Sequence, residues 1–194
     1  MHHIYHTKAF VLSSYEKGEA NKILVLFTRE LGLIRALATG IRLNKSKLRF
    51  SFQDFSFVDI DLVKGKEIWR TTTGKIIDSF PVLRTRKESF VLVSKVSRLI
   101  ERFCGSEEPQ KELFDETIKF LEYLNSDNVD EKRAFAAELL LVLRIMKDLG
   151  YVENLEIFSS FLNSPINDDL VERLLKNKKI IISHINKALV ESQL

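Results

Sequence analysis

The spacing of apolar residues changes once along this chain, at Pro81, and that change limits the fold more than any other feature. Up to about Phe80, short runs rich in β-branched and aromatic residues keep the two-residue rhythm of strands. They are Ala9–Leu12, Ile23–Phe27, Leu33–Leu37, Phe55–Leu62, and a fifth from Glu67 through Trp69 to Thr73, with Gly74 as a bend or bulge before it resumes toward Phe80. Glu16-Lys17-Gly18-Glu19, Glu30-Leu31-Gly32 and Lys64-Gly65-Lys66 supply turns. A small closed barrel follows, because closure removes the exposed edges that such strands would otherwise carry. Val58, Ile60 and Leu62 share one strand face while Phe55 and Phe57 share the other, so a bulge near Phe57 or Val58 is expected to keep both sets inside.

Beyond Pro81 the apolar residues recur every three to four positions. Phe90, Val93, Val96, Ile100 and Phe103 trace one helix face, and Leu113 or Phe114, Ile118, Leu121 and Leu124 another, with Pro109 in the second helix's first turn. A third helix, roughly Glu131 to Leu149, is apolar around much of its circumference and reads as the centre of a bundle, ended by Gly150. Two shorter helices are expected afterwards, one opening at Asn167 and one from about Ser183 to Ser192. The fold class is therefore α+β in two domains: a five-stranded barrel over residues 1–80 and an all-α domain over 81–194.

Charge is divided along the same line. Residues 1–80 hold 13 Lys and Arg against 8 Asp and Glu, a net of +5, so the remainder of a chain whose total is +3 carries −2. Within the first part no acidic residue occurs from Leu31 to Gln53, a stretch holding Arg35, Arg42, Lys45, Lys47 and Arg49. A basic loop on a small barrel suits a phosphate backbone, because clustered cations release condensed counterions without reading sequence. Phe50 and Phe52 follow that loop directly and are candidate stacking platforms for unpaired bases, ahead of Tyr15 and Trp69.

Catalytic chemistry finds no support. His2, His3 and His6 have no Cys, Asp or Glu in their segment to complete a metal site, and Cys104 ends an amphipathic helix where it is expected to be buried and inert. There is no Gly-rich phosphate loop, and Asp59 and Asp61 alternate with apolar residues that place them outside the barrel. Leu139–Leu143, as long an apolar run as any in the chain, is far too short for a membrane span, and the N-terminus lacks a signal-peptide pattern, so a cytoplasmic protein without a small-molecule substrate is expected.

An ordered string of motifs resembles the RecO family of bacterial recombination mediators. It runs through Lys8-Ala9-Phe10-Val11-Leu12, Gly18-Glu19-Ala20-Asn21-Lys22, Leu26-Phe27-Thr28-Arg29-Glu30-Leu31-Gly32, Ala38-Thr39-Gly40-Ile41-Arg42 and Lys45-Ser46-Lys47-Leu48-Arg49. Gln53-Asp54-Phe55, Asp78-Ser79-Phe80-Pro81-Val82-Leu83-Arg84 and, more distantly, Leu149-Gly150-Tyr151 continue it. The resemblance implies an OB-fold barrel, a helical domain, no enzymatic turnover, and binding of single- and double-stranded DNA with annealing of complementary strands. As partners it implies RecR and the tail of single-stranded DNA-binding protein, with RecA loaded indirectly, in a nucleoid-associated setting. Many members carry a four-cysteine zinc module after the Gly-Tyr landmark, but this chain has no cysteine there, so neither zinc nor another cofactor is expected. Leu155, Phe158, Phe161 and Leu162 are expected to fill that place by packing.

The leading reading is a DNA-binding recombination mediator in which Arg42, Lys45, Lys47 and Arg49, aided by Arg35, Lys22 and Arg70, neutralise phosphates of two strands. Two alternatives belong to other classes: a protein-interaction adaptor that docks through the barrel, and an OB-type RNA-binding protein.

Overall fold

The structure, a computed structural model, describes residues 3–105, 107–152 and 156–191. Strands β1 (Ile4–Lys17), β2 (Asn21–Thr28), β3 (Gly32–Ala38), β4 (Phe57–Lys64) and β5 (Trp69–Asp78) close a barrel in the order β1-β2-β3-β5-β4. All pairings are antiparallel except β3 with β5, which meet in parallel only through Ala36–Trp69 and Leu37–Arg70. A short helix, α1 (Leu48–Ser51), links β3 to β4. This closed five-stranded barrel followed by helices is the expected OB-fold plus α architecture.

Alternation along the strands sends Ala9, Val11, Leu24, Leu26, Ile34, Ala36, Val58, Ile60 and Leu62 inside. The outer face is also apolar: Phe10, Phe27 and Phe57 form a cross-strand row and are buried too. The segment Ser97–Asp115 belongs to the same compact unit as Met1–Phe80 and supplies the cover. Phe114 packs 5.4 Å from Phe27 and 6.2 Å from Phe57, Arg29 forks onto Asp115 at 2.8 and 2.9 Å, and Ser13 donates to Glu101 at 3.0 Å. Gly32, at φ +69°, has no room for a side chain, since a Cβ there would fall 2.2 Å from the Glu108 carbonyl oxygen.

A register shift does fall between Phe57 and Val58, where a bulge is expected, but it does not bring both faces of β4 inside. Phe57 stays outside, shielded by Phe114, and Phe55, at φ +65°, stacks on Phe10 rather than entering the barrel. The extra residue at that shift, Ile77, is on β5, as is Thr72 at a second shift between Asp61 and Leu62, and Leu12 is the extra residue of β1 at a third between Val11 and Ser13. A second apolar layer outside the barrel makes it unnecessary to force both faces of β4 inward.

The second compact unit comprises Pro81–Val96 and Glu116–Leu194. Its helices are α2 (Pro81–Thr85), the first part of α3 (Lys87–Phe103), most of α4 (Lys111–Leu124), α5 (Glu131–Asp148), α6 (Glu156–Asn163) and α7 (Asp168–Glu191). Pro109 precedes α4 rather than occupying its first turn. Asp130 caps α5 by accepting from the Arg133 amide at 2.8 Å, and Leu140, Leu141 and Leu143 are buried as a bundle centre requires. Arg144 is only 5% exposed, yet it is saturated. It pairs with Glu116 of α4 and donates to the Phe161 carbonyl at 2.9 and 3.1 Å and to the Ser164 carbonyl, satisfying the end of α6.

The two short helices expected after Asn167 are one continuous helix, α7. The polar run Lys176–Lys179 is part of its exposed face, while Leu174, Ile181 and Ile185 lie on its buried side. Helix α6 carries Phe158 and Phe161 into the core of this unit; Leu155 lies outside the described residues.

Candidate nucleic-acid interface

Residues 39–47 leave β3 as a loop shaped by its own backbone. Leu43 donates to Gly40 at 3.1 Å, Ser46 to Leu43 at 2.9 Å and Arg42 to Ala20 at 3.0 Å, and the Gly40 amide is held by the Asn21 side chain at 2.8 Å. The Arg42 guanidinium reinforces this attachment to the β1–β2 turn, donating to the Gly18 carbonyl at 3.0 Å and pairing with Glu16 at 2.9 Å. Arg42 therefore positions the loop before it can meet a ligand.

Lys45, Lys47 and Arg49 differ from Arg42. All three are exposed, and none makes an ion pair with a described residue. Arg49 stands on α1 beside Phe50, whose side chain is 71% exposed, an arrangement of cation and flat ring that suits a strand with unstacked bases. Lys22 opens β2 and donates to Ser14 at 3.1 Å. Arg35 and Arg70 are exposed on the outer face shared by β3 and β5.

Phe52 must be removed from the stacking candidates. It is 1% exposed and belongs to the barrel core with Leu62 and Trp69. Its ring lies so close over β5 that a Cβ on Gly74 would come 2.2 Å from Phe52 Cζ. The end of α1 turns Phe52 inward just after Phe50 has pointed out, and a helical turn at this place is what sequence reading treated as plain loop. Trp69 is buried as well, donating to Glu107 at 3.0 Å, whereas Tyr15 is exposed.

A cleft of about 450 Å³ opens between the β1–β2 turn, the loop and α1, and it brings Lys22, Arg42 and Arg49 together, with the core residues Ile41 and Phe52 buried behind them. Asn44, Gln53 and Glu16 complete its lining. Sequence reading passed over these three, because neutral amides flanking a basic run and a carboxylate 26 positions before Arg42 carry no local signal.

Along β1 and β4 several charges are matched. Asp61 accepts from Thr73 at 2.7 Å and pairs with His6, Asp59 sits opposite Lys8 and Lys75, and Lys64 donates to Glu107 at 2.8 Å, which holds that carboxyl below its usual range. Among the described residues no group of three His, Cys, Asp or Glu side chains could hold a metal ion, and no helix is long and apolar enough to cross a membrane. Cys104 is buried, and desolvation pushes its thiol up to about 12, so little thiolate exists at neutral pH.

A closed five-stranded barrel followed by a run of helices defines the class as an OB-fold protein with a helical extension. Comparison with known proteins gives the family. Residues 1–80 match the family model described as Recombination protein O N terminal. The chain is 31% identical over 148 residues to the DNA repair protein RecO of Desulfitobacterium hafniense, covering 76% of this chain and 52% of the relative. It is 32% identical over 149 residues to that of Clostridium novyi (76% and 57%), and 27% over 188 residues to that of Caldanaerobacter subterraneus subsp. tengcongensis (90% and 76%). The chain belongs to the RecO family. It spans a little over half the length of the first two of these relatives.

Proposed function

We propose that this chain is a non-enzymatic, cytoplasmic DNA-binding protein of recombinational repair that binds single strands and anneals complementary ones. In the same reading it acts on double-stranded DNA as well, and cooperates with RecR and the tail of single-stranded DNA-binding protein to help load RecA at the nucleoid. The relatives' shared designation as DNA repair proteins supports the setting. The observation that carries the binding reading is the trio Lys45, Lys47 and Arg49: three exposed cations without a described carboxylate partner, beside an exposed ring, on an OB barrel.

The mechanism is electrostatic. Each cation that meets a phosphate of a single strand releases about 0.7 counterions, and two strands held on one basic surface repel each other less than in free solution. Arg35 and Arg70 extend the positive surface along β3 and β5, and Lys22 and Arg42 extend it toward the β1–β2 turn. Anisotropy titrations of mixed-sequence DNA and RNA strands at several salt concentrations test the reading. Binding of DNA with a steep salt dependence and little preference for RNA is expected. Negligible DNA affinity at physiological salt would favour a protein-docking adaptor, and strong dependence on the 2′-hydroxyl an RNA binder.

A further inference from the structure

Away from the barrel, a groove of about 330 Å³ runs between α3 and α5 within the helical unit. Val91 and Phe135 line it and are 46% and 43% exposed, and the exposed Phe90 adjoins Val91 in the chain. The charges are sorted by rim. Helix α3 contributes Lys87 and Lys95, tempered by Glu88, while α5 contributes Glu131 and Glu138. None of them makes an ion pair with a described residue. Lys95 lies across from Glu138, whose carboxyl burial pushes above its usual range while the facing ammonium draws it partly back. Every other lining residue precedes these two in its own helix, so α3 and α5 run in the same direction along the groove, with Lys87 and Glu131 at its far end and Val91 and Phe135 between.

A partner segment of one charge sign would be attracted at one rim and repelled at the other. The groove's own image is complementary at both. A two-fold axis laid along the groove sets the basic rim of one copy on the acidic rim of the other, twice over, whereas a two-fold across it would set like on like. We propose that this groove is a self-association surface at which two copies of the chain meet about a two-fold axis along it, Lys87 and Lys95 of each against Glu131 and Glu138 of the other, with each Phe135 ring entering the other copy's groove beside Val91. The apolar contact is small and the ion pairs lie at its rim, so the dimer is of the weak, transient kind. It is independent of the DNA-binding reading, which concerns the barrel.

The test is sedimentation equilibrium of the full chain and of two charge-swap variants, Lys87→Glu/Lys95→Glu and Glu131→Lys/Glu138→Lys, with melting temperature as the control for folding. Glu138 is half-buried, so Glu131→Lys alone takes the second variant's place should the double substitution unfold the chain. The wild type should dimerise with a Kd of about 10–100 μM. Each variant alone opposes like charges at both rims and should raise that Kd at least about tenfold. An equimolar mixture of the two should restore dimerisation, because a groove acidic at both rims then meets one that is basic at both. A wild type that stays monomeric up to about 1 mM overturns the proposal and leaves the groove to a different protein or to none. A dimer whose Kd neither variant changes, or two folded variants that fail to associate with each other, overturns it as well.

Discussion

Arg42 Nη2 lies 2.9 Å from Glu16 Oε1, and this pair divides the basic loop into a cation that shapes it and cations that face outward. The pair is partly exposed, so its own contribution to stability is within about 1 kcal/mol. Its electrostatic consequence is larger, because among the described residues Glu16 is the single carboxylate lining the cleft. Glu16→Gln should leave the melting temperature nearly unchanged and tighten single-strand binding, steepening the log K against log salt slope by about 0.7 as Arg42 becomes available to phosphate. Weaker binding by the variant would mean that the loop's shape matters more than its charge.

Gly74 and Phe52 form a second pairing, this one steric. Gly74→Ala should destabilise the barrel by about 1–3 kcal/mol, because the new Cβ meets the ring of Phe52, a core side chain only 1% exposed that must shift to admit it. Phe52→Leu should relieve that clash. A double-mutant cycle by urea denaturation should therefore show a coupling of about 1 kcal/mol or more, whereas additive effects would separate the two residues.

The helical unit depends on Arg144. Arg144→Met leaves the carbonyls of Phe161 and Ser164 without their donor and Glu116 with Lys119 alone, at a cost of about 3 kcal/mol. Leu140→Asp, which puts an unpaired carboxylate into the buried centre of α5, should cost at least as much. Denaturant titration with circular dichroism reads both, and a loss below 1 kcal/mol for Arg144→Met would show its network to be dispensable.

Cys104 predicts a pH dependence with a definite sign. Its proton is held more tightly in the folded chain than in the unfolded one, where the thiol titrates near 9. The stability this contributes is complete below that value and falls as pH rises from about 9 toward about 12. Iodoacetamide at pH 8 should accordingly label native protein only at the rate of its opening, and rapid labelling would place the thiol at the surface.

Much of the fold was legible because period-two and period-3.6 spacing report directly on which faces are buried. The barrel and α5 follow from that spacing alone. The doubly apolar strands were read only half correctly: Phe10, Phe27 and Phe57 signalled burial, but the element covering them, Ser97–Asp115, lies far along the chain, and no local pattern connects the two. Helix α7 was split in reading because a polar face longer than one turn looks like a loop when the buried stripe beneath it is sparse. At the site, the loop cations were legible from composition. The inward turn of Phe52 was not, since it depends on a four-residue helix and on a glycine in another strand.

The central claim, that the loop's outward cations bind phosphate, is tested most directly by the salt dependence of single-strand binding in Lys45→Ala/Lys47→Ala/Arg49→Ala, with Arg42 kept because it holds the loop. The three side chains are exposed, so the melting temperature should stay close to that of the wild type. If each meets one phosphate, the slope of log K against log salt flattens by about 2. A well-folded triple variant with the wild-type slope would contradict the claim and place the DNA contact, if any, elsewhere on the protein.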